Sequence, residues 1–132
     1  MSGKPEYVAT LRYEKVRRDE LFAKLSYMKY KFRRELKALL GKVLKAINEG
    51  VGHVDPEDAC IGKVWYVKQG NVIYVIGEVI IYDLSWLSKD DLERVERAIW
   101  GTGWRLDYWI VSFPGETTLV TIDLRKKVEL KE

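Results

Sequence analysis

An α+β domain, with helices on one face of a mostly antiparallel sheet, is the fold class predicted by three features of this 132-residue sequence. The first is a pair of β-branched and aromatic runs, Ile61 to Lys68 and Val72 to Tyr82, split by Gln69-Gly70-Asn71. Such a pattern marks a hairpin. The second is a similar pair near the C-terminus, Arg105 to Phe113 and Thr117 to Val128, around Pro114-Gly115-Glu116. The third is two stretches whose apolar residues recur at helical spacing. A chain this long buries roughly two-thirds of its unfolded surface, enough for one self-sufficient core.

Taken in order, Tyr7 to Tyr13 alternates around Val8, Thr10 and Arg12 and predicts a first strand. Asp19 opens a long helix that runs to Asn48 and stops at Glu49-Gly50. The segment Asp55-Pro56-Glu57-Asp58 reads as a loop or a single helical turn. After the first hairpin, Ser88 and Asp91 form an N-cap with its capping partner, opening a helix over Lys89 to Trp100 that ends at Gly101. That helix packs through Leu92, Val95 and Ile99. The order is β-α-β-β-α-β-β in a single domain over residues 1–132. It resembles a ferredoxin-like sheet with an added C-terminal strand. The resemblance is of fold and carries no function with it.

Composition narrows the class. Hydrophobic residues are 47% and charged residues 33% of the chain, which excludes a disordered or collagen-like polymer. The longest apolar run, Val72 to Tyr82, carries Glu78 and falls well short of the roughly 20 residues a membrane helix needs. No apolar targeting segment follows Met1-Ser2-Gly3-Lys4-Pro5, and one cysteine makes no internal disulfide. A cytoplasmic protein is therefore expected. Gln occurs once, Asn twice and Cys once beside abundant Lys, Arg, Asp and Glu. That composition predicts a thermophilic source.

The long helix carries the strongest functional hint. At 100° per residue, Leu21, Phe22, Leu25, Met28, Phe32, Leu36, Leu39, Leu40, Val43 and Ile47 fall within an arc of about 120°, the expected core face. The opposite side collects Lys24, Lys31, Arg33, Arg34, Lys37, Lys42 and Lys45, with Tyr27 and Tyr30 among them. Between Leu21 and Asn48 the only acid is Glu35. A helix built for solubility interleaves Glu with Lys at i,i+4. Residues 1–50 hold 13 basic and 6 acidic side chains, a net of +7, whereas residues 51–132 hold 10 and 14, a net of −4. Clustered cations with interspersed aromatics suit a phosphate backbone, and these nine side chains are the expected nucleic-acid contacts. The same stripe also reads as a solvated face, or as one that pairs with the acidic half of a second copy. Thirty helical residues span about 45 Å, against a radius of gyration near 14 Å. The helix must bend near Gly41 or project, and projection favours a dimer.

Strand alternation assigns Val64, Ile73, Val75, Val79, Ile81, Ile110, Val120 and Ile122 to the helix side of the sheet. Trp65, Tyr74, Glu78, Tyr82, Asp107, Trp109, Phe113 and Asp123 are assigned to the other side. Trp65, Tyr74, Trp109 and Phe113 are candidates for a homo-oligomer interface, or less favourably for base stacking, since no RNA-recognition motif is present. Asp107 and Asp123 are expected opposite each other, placed to share a divalent cation or to pair with Arg12. His53, Asp55, Glu57, Asp58 and Cys60 supply five potential ligands in eight residues, yet one His and one Cys fall short of a structural zinc set. There is no phosphate loop, dinucleotide fingerprint, zinc-protease helix or nuclease-type Glu-x-Lys after Glu78. No catalytic residue, metal or cofactor is assigned. The expectation is a small non-enzymatic nucleic-acid-binding protein; the alternative is a homo-oligomeric structural or adaptor domain.

Overall fold

The computed structural model describes residues 20–50, 53–113, 115 and 117–129. The expected strand Tyr7–Tyr13 and the side chains of Leu21 and Phe22 lie outside the described residues. Two helices, α1 (Glu20–Asn48) and α2 (Lys89–Ile99), pack on a sheet of β1 (Ala59–Gln69), β2 (Val72–Tyr82), β3 (Trp104–Ser112) and β4 (Leu119–Lys127). A single 3-10 turn, Pro56–Asp58, precedes β1. This is an α+β architecture, and every strand pair is antiparallel.

In the β1–β2 hairpin Gln69 stands opposite Val72, leaving Gly70-Asn71 as a two-residue turn. Gly70 adopts φ +63° at the first central position, where glycine meets no steric cost. The strand order is β1-β2-β4-β3. A ferredoxin-like sheet would place the strand preceding the first helix between residues 72–82 and 104–112; here β4 holds that place. The physical reason lies in phase. Val120 and Ile122 of β4 stand opposite Ile81 and Val79 of β2, and Leu124 stands opposite Gly77, so one continuous aliphatic face meets the helices.

β3 departs from simple alternation. A bulge between Leu106 and Tyr108 leaves Asp107 as the extra residue, and one extra residue inverts the faces of everything beyond it. Trp109 and Val111 therefore turn toward the core, while Ile110 points away and is 43% exposed. The sequence expectation had Trp109 and Ile110 on the opposite sides. The bulge also removes Asp107 from the position facing Asp123, which Tyr108 occupies instead.

α1 is anchored along its length. Leu25, Phe32, Leu36, Leu39, Val43 and Ile47 are buried, as are Leu44 and Ala46. This span covers on the order of 33 Å. Near its start the Leu25 carbonyl accepts a hydrogen bond from the Tyr66 hydroxyl, so the helix is seated there and does not project from Leu25 onward. At its middle, Leu36 rests on Gly77, whose missing side chain leaves the space that the leucine methyls fill. At its end α2 locks on. The Ser88 hydroxyl accepts from the Asp91 amide and the Asp91 carboxylate accepts from the Ser88 amide, completing the expected capping box. The other Asp91 oxygen holds Arg94, whose Nε donates to the Ala46 carbonyl of α1 at 3.0 Å.

Gly77 has no positive φ, so its requirement is purely steric. Gly77→Ala is expected to cost about 1–3 kcal/mol by forcing Leu36 out of its seat. Urea denaturation checks this, and an unchanged midpoint would show that α1 tolerates a shift away from the sheet.

Candidate nucleic-acid interface

Between Leu21 and Asn48 the single acid of α1, Glu35, adds no negative charge to the outward face. Its carboxylate turns inward, where one oxygen accepts from Lys126 Nζ at 2.7 Å and from Trp104 Nε1 at 2.9 Å. Trp104 is buried, and Phe32 stands edge-on to both Trp104 and Tyr66. The Lys126 ammonium lies 5.8 Å from the Phe32 ring centre and 5.9 Å from that of Trp104. Partial burial pushes the Glu35 carboxyl upward. The hydrogen bonds from Lys126 and Trp104, with the charges of Lys126 and Lys31, outweigh it and hold the group below the usual glutamate range. The one acid of the helix interior is thus half-buried at the helix–sheet boundary.

The outward face follows from the same rotation. Counting 100° per residue from Leu36, Tyr27 and Lys45 stand about 180° away and Arg34 about 160° away. Tyr27 is 84% exposed and Tyr30 74% exposed. Lys24, Lys31, Arg34, Lys37, Lys42 and Lys45 are all exposed. Lys31, Arg34, Lys37, Lys42 and Lys45 form no ion pair among the described residues. The Arg34 guanidinium stacks over the Tyr30 ring at 5.9 Å, a cation–π contact that presents both groups together.

Arg33 sits apart from this set. It is half-buried and donates to the Gly62 carbonyl at 2.8 Å and the Ile61 carbonyl at 3.4 Å. Those carbonyls lie where the β1–β2 register slips between Ile61 and Val64, so Arg33 satisfies backbone acceptors freed from the ladder. Two basic side chains that the sequence reading left out, Arg94 and Arg97, face Lys42 and Lys45 across a groove of about 380 Å³ between the helices. The mixed charge of α2, with Asp90, Asp91, Glu93 and Glu96 in the same stretch, conceals them. The signal that could have found them is their i,i+3 spacing on one side of that helix.

Of the expected interface aromatics, Trp65 and Tyr74 are half-buried on the sheet face away from the helices, with Arg125 stacked 5.2 Å from the Tyr74 ring centre. Trp109 turns inward and meets Trp86 edge-on at 5.6 Å. Phe113 is exposed. Glu78 and Asp123 face each other across β2 and β4, and Glu78 accepts from the Lys63 amide at 3.0 Å. They line an open groove of about 810 Å³ with Lys29, Arg33, Lys63 and Trp65, a mixed-charge surface. Asp107 lies 3.7 Å from Arg125. The His53 ring is 2.8 Å from Asp55, so the Asp55 side chain pairs with it and makes no cap on the 3-10 turn. Cys60 is a free, exposed thiol. Among the described residues no three His, Cys, Asp or Glu side chains come together as a metal-holding group, and no helix is long and apolar enough to cross a membrane.

Glu35→Gln is expected to cost about 1–2 kcal/mol at neutral pH by removing a charge-assisted contact to Lys126. Because the folded pKa of Glu35 is depressed, its contribution is present above the unfolded value and fades as pH falls through the folded one. Denaturation midpoints at pH 7 and pH 3 should therefore fall less in the variant than in the native chain; an equal fall would remove Glu35 from the acid response. The chain matches no protein-family model, and neither a curated protein nor a solved structure shows significant similarity to it.

Proposed function

We propose that this protein binds nucleic acid without catalysing a reaction, laying the outward face of α1 along a phosphate backbone. The observation that carries this reading is the set of exposed cations Lys31, Arg34, Lys37, Lys42 and Lys45, which form no ion pair among the described residues, interleaved with two of the most exposed aromatic side chains. Lys31, Arg34, Lys37 and Lys45 neutralise phosphates, and each contact releases condensed counterions. Tyr27 and Tyr30 offer flat surfaces for a base or sugar, with Arg34 held over Tyr30. Phosphate contacts position a protein without reading sequence, so binding is weakly specific and salt-sensitive. The scarcity of Gln, Asn and Cys fits a thermophilic, cytoplasmic setting for this activity.

A second reading is self-association. Trp86, Ile110 and Phe113 are exposed around the outer half of β3, and a dimer would cover such residues. Sedimentation as a strict monomer at high concentration would remove that reading and leave nucleic-acid binding untouched.

The test uses fluorescence anisotropy with random single- and double-stranded DNA and RNA. Four to five phosphate contacts predict a log–log salt slope of roughly −3.5 to −4.5 on duplex DNA. Combining Lys31→Glu, Arg34→Glu and Lys37→Glu should weaken binding by at least about 100-fold with a cooperative unfolding transition retained. Arg33 is left intact because it supports β1. Affinity retained in the triple variant would overturn the assignment.

A further inference from the structure

The C-terminal half of α1 and α2 run antiparallel, and the groove between them is built unlike an ordinary helix pair. Lys42 and Lys45 line one wall; Arg94 and Arg97 line the other; Ala46 and Ala98 lie between; Glu49 is the one carboxylate of the lining. Residues three apart share a helix face, and like charges so placed destabilise a helix. Here two such pairs face each other, where opposite charges would normally be selected. Arg94 is also fixed in place, with its Nε on the Ala46 carbonyl and a terminal nitrogen on Asp91, which is 1% exposed. Its guanidinium is therefore fixed at the groove wall, with its charge balanced by Asp91. Arg97 is exposed and makes no ion pair among the described residues. Attraction to the helix C-termini accounts for Lys45 and Arg97, and Asp91 with the Ala46 carbonyl accounts for Arg94, but Lys42 lies further back on its helix.

We propose that this groove is a phosphate-binding site, holding a phosphoryl group between the exposed cations Lys42, Lys45 and Arg97, with the Asp91-paired guanidinium of Arg94 as a fixed wall. Among the described residues no aromatic side chain lines it, so it takes the phosphoryl group and not a base. Lys45 stands opposite Leu36 on α1 and also lines the groove, which makes the groove continuous with the outward face. The inference rests in part on the proposed function, since a backbone lying along α1 would turn onto α2 at this point. The shared chemistry is a phosphoryl anion, either within a nucleic acid or in a free polyphosphate.

The site is tested first without nucleic acid. Sodium pyrophosphate is titrated at constant ionic strength while NMR follows the Arg94 and Arg97 Nε–H signals and the amides of residues 42–49 and 94–98. Saturable shifts there, lost in the double variant Lys42→Gln/Arg97→Gln with its unfolding midpoint preserved, are expected. Shifts that do not saturate, or that persist in the double variant, overturn the site whatever α1 does. Nucleic acid then distinguishes the sources. A salt slope shallower by about 1.8 on duplex DNA in the double variant assigns the groove to the backbone. Saturable pyrophosphate binding with an unchanged slope assigns it to a free phosphoryl compound and overturns the backbone path. Pyrophosphate shifts retained in the α1 glutamate triple variant are expected, since none of its substitutions lines the groove; their loss there overturns the groove as a site of its own.

Discussion

The seating of Leu36 on Gly77 is the contact on which the rest of this molecule depends. A helix lying on a sheet can rotate about its axis until some side chain finds a hollow, and Gly77 supplies that hollow at the centre of β2. Once Leu36 occupies it, helical geometry assigns every other side chain of α1. Phe32 enters between Tyr66 and Trp104. Glu35 swings under the helix to Lys126. Tyr27, Arg34 and Lys45 are left facing outward. The position of the cationic stripe is thus a consequence of core packing and does not depend on the charges themselves.

The distribution of charge is equally a product of the interior. Glu35 would weaken an anion-binding face if it pointed outward, and instead it anchors two partners at the helix–sheet boundary. Asp91 is similarly withdrawn into the α2 capping box and the Arg94 contact. Glu96 accepts from the Leu106 amide at 2.8 Å and pairs with Arg105 at the other edge of α2. Partial burial raises that carboxyl, and the backbone donor and Arg105 more than offset the rise, so its pKa too is lowered. Three carboxylates are held by structural contacts, while Lys31, Arg34, Lys37, Lys42, Lys45 and Arg97 remain exposed. This separation is what distinguishes the surface from a solvated, mixed-charge helix face.

The elements themselves were legible from local rules. The first hairpin turn, the Ser88–Asp91 capping box and the apolar arc of the long helix each depend on residues close in sequence. The capping box stands as expected, and the turn tightens from Gln69-Gly70-Asn71 to Gly70-Asn71. The described part of the arc, from Leu25 to Ile47, is buried except for half-buried Met28 and Leu40. What escaped the sequence reading depends on distant neighbours. The bulge at Asp107 has no local marker, yet it inverts Trp109 and Ile110 and separates Asp107 from Asp123. Arg33 looks like its neighbours Lys31 and Arg34 until the slipped register of β1 offers it two free carbonyls. The β2–β4 pairing joins segments some 40 positions apart, so hairpin signals alone do not specify it. Arg94 and Arg97 acquire their meaning only when α2 docks beside Lys42 and Lys45.

The central claim is that nucleic acid lies on the outward face of α1 and not on the aromatic face of the sheet. Photocrosslinking of the native chain to bromouracil-substituted oligonucleotides, with mass-spectrometric mapping of the adducts, tests it most directly. Adducts on Tyr27 and Tyr30 are predicted, since these rings project beside the exposed cations. Adducts confined to Trp65, Tyr74 or Tyr108 would move the interface to the opposite side of the molecule and contradict the account.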